Sequence, residues 1–195
     1  MSPILESIGS VKGFGWGALV AGGSYESIAT TTVGAGGSAT VTFSSIPATY
    51  THLQVRLFAR TSITAGNQDD TLMRFNSDTS SNYAGHQLYG DGSSAGAGSL
   101  GGTPPVNVMY PAFITSNSAT ANSYGVGIID ILDYTNTNKY KVMRSLNGHD
   151  NNGNGFILLR SGLWMSTSAI STITFTLGSG NFTQYSSFAL YGIKG

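Results

Sequence analysis

The sequence predicts an all-β protein, an antiparallel β-sandwich of jelly-roll type with an extended N-terminal arm, and three observations predict it. Apolar and polar residues alternate with period two from Tyr25 onward, Gly, Pro, Asn and Ser punctuate the short runs, and no segment sustains a 3.6-residue period. About ten strands spaced about 10 to 20 residues apart, with no helix between them, call for two packed sheets. The expected organisation is an arm over residues 1–23 and a single β-sandwich domain over 24–195.

The arm, MSPILESIGSVKGFGWGALVAGG, is apolar but rich in glycine. It does not fit a signal peptide, because Glu6 stands where positive charge is expected and Lys12 falls beyond the first apolar residues. It does not fit a transmembrane helix either, which needs about 20 consecutive apolar residues. Ile4, Leu5, Ile8, Val11, Phe14, Trp16 and Leu19 therefore read as anchors for a partner surface. An extended arm of this kind can lie along a neighbour, adding backbone hydrogen bonds while its side chains fill pockets.

The strands follow in order. SYESIATTTV and SATVTFSSI open the domain. In HLQVRLFAR, Leu53, Val55, Leu57 and Ala59 share one face, while His52, Gln54, Arg56 and Arg60 share the other. TLMRFNS, GHQLYG, SYGVGIIDILDY, NKYKVMRSLNG and GFILLRSGLWMSTS continue the pattern. In ISTITFTL, Ile173, Phe175 and Leu177 point inward and Thr172, Thr174 and Thr176 outward; SFALYGIKG closes the chain. GVGIIDIL is apolar on both faces and is expected to run centrally between packed layers. The stretch YGDGSSAGAGSLGGTPPVNVMYPAF reads as a long irregular loop, since Pro104, Pro105 and Pro111 rule out a central strand.

Composition excludes several function classes. Charged residues are only 9% of the chain with a formal net charge of zero, against about 25% in average soluble domains. The nine Lys and Arg are scattered singly, which is no footprint for a nucleic acid. A surface with so little charge does not keep copies apart, so an assembly is expected. There is no cysteine, hence no disulfide framework and no thiolate zinc site.

The catalytic and metal motifs that occur are compositional. Gly92–Gly96 matches GxSxG, and Gly96–Gly101 matches GxGxxG, but both motifs require a helix immediately downstream and none is expected. Asp150, Asn152, Asn154 and Gly155 imitate half a calcium loop, yet its closing Glu would fall on Ser161; an Asn-Gly hairpin turn fits better. His52, His86 and His149 share no metal-ligand spacing. Asp69, Asp70, Asp130 and Asp133 could form a glycosidase pair only by tertiary placement, and Asp130 and Asp133 are expected opposite Arg56, Arg60, Arg144 or Arg160. No catalytic, cofactor or metal residue is assigned. Tyr83, Tyr89 and Tyr110, near expected turns, are candidate glycan or loop contacts, with core packing the competing role.

The pieces FSSIPATYTHLQVR, LMRFNSDTSSNYAGHQLYGDG, IIDILDYTNTNKYKVMRSLNG, LLRSGLW and SFALYGIKG resemble a family of tailed-phage virion structural proteins. The resemblance spans nearly the whole chain beyond residue 24 and consists of phrases, not of a catalytic motif. It implies a jelly-roll-like sandwich built into the phage particle as a homotrimer, as a capsid cement or decoration protein or as a tail or baseplate component. The partners it implies are major capsid subunits or tail and baseplate proteins, with a host-surface glycan in the tail alternative.

Overall fold

The computed structural model describes residues 23–195. Ile4, Leu5, Ile8, Val11, Phe14, Trp16 and Leu19 of the expected arm lie outside the described residues. Among the described residues twelve strands occur: β1 (Tyr25–Thr32), β2 (Thr40–Phe43), β3 (His52–Ala59), β4 (Gln68–Phe75), β5 (Tyr83–Gly90) and β6 (Ala95–Ser99), then β7 (Met109–Thr115), β8 (Gly125–Leu132), β9 (Lys141–Asp150), β10 (Gly155–Trp164), β11 (Ile173–Leu177) and β12 (Ser187–Ile193). No helix is present among the described residues.

The strands form an eight-stranded sheet in the order β1-β12-β3-β8-β9-β10-β5-β6 and a four-stranded sheet in the order β2-β11-β4-β7. Neighbours run antiparallel in both. The core lies between the sheets, where period two delivers one side of every strand. Leu53, Val55 and Leu57 of β3, Ile129 and Ile131 of β8 and Phe188 and Leu190 of β12 face Met73 and Phe75 of β4 and Ile173 and Phe175 of β11. The Phe175 and Phe188 rings lie 5.2 Å apart across the layers. Each such side chain contributes about 1.5–3 kcal/mol on burial. Core packing thus settles the register, because a one-residue slip would turn every one of these side chains to solvent.

The larger sheet outgrows the smaller. β7 lies across β8, β9 and β10, and among the described residues much of the β5–β6 side has no second layer of strands. Gly125 permits the crossing: a Cβ there would stand 2.7 Å from the Ile114 Cα.

Four sequence expectations need correction. The stretch read as irregular contains β6 and β7; Pro111 is tolerated because β7 is the edge strand of its sheet, where a missing N–H breaks no ladder. β8 is central within its sheet, but among the described residues only one of its faces is covered: Val126, Ile128 and Leu132 are exposed. Arg60 is buried, not outward, because the chain turns after β3; its guanidinium donates to the carbonyls of Asn117, Ala119, Thr120 and Ser123 at 2.8–3.2 Å. Asp133 pairs with Lys139 and His52, not with an arginine.

Candidate interaction site

The outer face of the eight-stranded sheet is the candidate site, and strand register builds it row by row. Residues paired across an antiparallel ladder point the same way. One row runs Leu88, Leu159, Leu146, Ile128, Arg56 from β5 to β3, and its first four members are aliphatic and exposed. A neighbouring row carries Ile157, Gly148, Val126 and Phe58. On the opposite flank, Leu163, Val142 and Leu132 form a third.

Between the aliphatic rows lies a polar one: His86, Ser161, Arg144, Asp130, Gln54, Tyr191. Its groups are joined to one another. Arg144 Nε donates to Asp130 Oδ2 at 3.1 Å and Gln54 Nε2 to Asp130 Oδ1 at 2.8 Å. Arg56 Nε donates to Gln54 Oε1 at 3.2 Å, and its guanidinium carbon sits 5.4 Å from the ring centres of both Tyr25 and Tyr191. The charges of the face thus have partners within the chain.

Two hairpin turns rise at one end of the face, over a concavity of about 1050 Å³. Val126, Ile128, Leu146 and Ile157 line it, with Asp91 and Asp150 among its polar groups. The β9–β10 turn closes with Asn151 N–H donating to the Asn154 carbonyl at 2.8 Å, and Asn152 and Gly153 take positive φ. It is the Asn-Gly hairpin turn expected from sequence. In the β5–β6 turn, the Ser93 and Ser94 amides and hydroxyls all donate to the Asp91 carboxylate at 2.7–3.0 Å, holding it well below the usual carboxylate range. The GxSxG stretch is this turn, and its serines face an aspartate rather than a histidine base.

The remaining titratable candidates are dispersed. His52 Nδ1 accepts from the Asp133 N–H at 3.0 Å, His86 lies on the outer face, and His149 is buried on the inner side, where desolvation lowers its pKa. Asp70 meets Arg160 at 2.6 Å, also on the inner side; burial raises the aspartate against the pull of that arginine. Among the described residues no three His, Cys, Asp or Glu side chains come together as metal ligands.

The candidate tyrosines do not form a common platform. Tyr83 is fully buried and packs on Trp164, with its hydroxyl donating to the Asp78 carbonyl at 3.2 Å, so core packing accounts for it. Tyr89 faces the inner side of β5 and tilts against Phe156, and Tyr110 lies on edge strand β7 against Gly101. Tyr124, another tyrosine near an expected turn, stacks on Phe58 at 4.6 Å beside the concavity, a pairing that sequence distance hid. The signal for the face itself was present in the two-sided apolar character of GVGIIDIL.

No protein-family model, no curated protein and no solved structure matches this chain. Among the described residues no helix is long and apolar enough to cross a membrane.

Proposed function

We propose that the chain is a non-enzymatic structural protein of a tailed-phage particle, a homotrimeric capsid cement or decoration protein that docks on major capsid subunits through residues 1–23. The observation that carries this reading is the broad aliphatic outer face of the eight-stranded sheet, a surface made for covering by protein. The phrase-level resemblance supplies the virion setting. The strand order supports the finer, jelly-roll reading: without the β5–β6 and β9–β10 hairpins, β1-β12-β3-β8 opposes β2-β11-β4-β7, the alternation between sheets that a jelly roll needs. On this reading the two hairpins are additions that widen one sheet.

The test is recovery of the chain with purified phage particles and its density on the capsid surface by electron cryomicroscopy. Phe14→Asp/Trp16→Asp in the full chain is expected to abolish binding to capsids. Unchanged binding would contradict the docking role of the arm.

The convergence of the β5–β6 and β9–β10 turns on one concavity favours a second reading, a tail fibre or baseplate component that holds a host-surface glycan at that rim. A glycan array probed with the full chain tests it, and uniform absence of binding counts against it.

A further inference from the structure

We infer that the outer face of the eight-stranded sheet is the self-association surface, and that further copies of this chain cover its aliphatic rows. This deepens the homo-oligomeric part of the proposed function without depending on a place in a phage particle.

Three observations lead there. The first is the conflict at β8. A central strand apolar on both sides belongs between two layers, yet the described residues place a layer on one side only. The second is extent. Phe58, Leu88, Val126, Ile128, Leu132, Val142, Leu146, Ile157 and Leu159 all point outward, with exposures from 41% at Leu132 to 64% at Ile157. Together, in rows on either side of the polar one, they offer roughly 800 Å² of apolar residue surface, on the order of what a stable interface takes from each partner.

Charge is the third observation and selects the occupant. Arg56 and Arg144 flank Asp130, while Asp91 and Asp150 stand by the concavity, so the face is nearly balanced. A strongly charged partner gains nothing there. A copy of a chain with zero formal net charge fits, and the basic-acidic-basic order lets one copy's Asp130 approach another's arginines. Because the polar row is already internally bonded, covering it strands no unpaired charge. The Arg144 side chain, 69% exposed, retains N–H groups for an acceptor on the neighbour.

The experiment is light-scattering molar mass of the full chain at micromolar concentration, compared with Leu146→Glu/Leu159→Glu. Both positions are exposed, so fold retention is checked by circular dichroism, and Thr42→Glu on the outer face of the four-stranded sheet is the control. The native chain and Thr42→Glu should be multimers of the same mass, and the double variant a monomer, with association weakened at least 100-fold. A monomeric native chain, or a double variant of unchanged mass, would overturn the inference. So would dissociation by Phe14→Asp/Trp16→Asp, which would assign the face to the leading segment. Absence of the chain from phage particles would defeat the virion reading and leave this result standing.

Discussion

Arg144 Nε lies 3.1 Å from Asp130 Oδ2 across the β8–β9 register, in the polar row that runs between the aliphatic rows of the outer face. In water such a pair contributes about 0–1 kcal/mol, whereas beneath a neighbouring copy the loss of one partner leaves the other buried without compensation. Asp130→Ala is therefore expected to shift the chain's own unfolding free energy by less than about 1 kcal/mol and to weaken self-association more than about ten-fold. Denaturant titration and concentration-dependent scattering separate the two quantities. Equal, small effects on both would place the pair on a free surface.

Arg60 supports the segment between β7 and β8 by donating to four backbone carbonyls, with no carboxylate partner among the described residues. Arg60→Met removes the side-chain donor from the Asn117, Ala119 and Ser123 carbonyls, while Thr120 keeps its bonds from Ser123, and should cost about 2–4 kcal/mol in urea unfolding. Arg60→Lys should recover only part of this, because one ammonium cannot span the positions reached by a planar fork. Full recovery by lysine would show that charge, not geometry, matters there.

Asp78 accepts hydrogen bonds from Asn82 Nδ2 and Ser80 N–H at 2.9 Å and from Trp164 Nε1 at 2.8 Å. Burial opposes its ionisation, but these donors outweigh burial and hold the carboxyl at about 2 instead of 3.8. With the folded value below the unfolded one, the unfolded chain takes the proton first as pH falls. The stabilisation is complete above the unfolded value and is lost as pH drops through about 2. Unfolding followed by Trp164 fluorescence in a Trp16→Phe background should show stability declining from about pH 5 to pH 2. Asp78→Asn should flatten that decline and cost about 1–2 kcal/mol at neutral pH. An unchanged slope would contradict the assignment.

Gly125 sits where β8 passes beneath β7, and a Cβ there would lie 2.7 Å from the Ile114 Cα and 3.0 Å from the Phe113 carbonyl oxygen. Both are backbone atoms that cannot rotate away. Gly125→Ala should destabilise the sandwich by about 2–4 kcal/mol, read as a lowered urea midpoint. A change under about 0.5 kcal/mol would mean that the sheets can part at this crossing.

Period two made most of the sandwich readable. It correctly sided Leu53, Val55, Leu57 and Ala59 on β3 and Ile173, Phe175 and Leu177 on β11, because each strand has one core face. The Asn152-Gly153 turn was equally legible, since a tight hairpin demands positive φ and those residues supply it. β6 escaped notice because AGAGS has no apolar alternation to read, and β7 because Pro111 signals a break without revealing that its strand is an edge. The fates of Arg60, Lys141 and Arg160 were hidden for another reason. Their burial rests wholly or in part on acceptors distant in sequence, such as the Asp70 carboxylate for Arg160 and the Thr167 carbonyl that joins the local Asn136 and Lys139 carbonyls around Lys141. The candidate face was half legible: GVGIIDIL announced two apolar sides, but which neighbours extend them follows only from the sheet order.

Coverage of the outer face of the larger sheet in the native protein is open to direct measurement. The chain lacks cysteine, so a single engineered thiol reports accessibility without interference. Rates of thiol labelling for Leu146→Cys and Thr42→Cys in the full chain, at concentrations above and below association, compare the two outer faces directly. With the face covered by further copies, Leu146→Cys should react at least ten times more slowly than Thr42→Cys when associated and at a similar rate when dilute. Equal, fast labelling of both at every concentration would contradict that coverage.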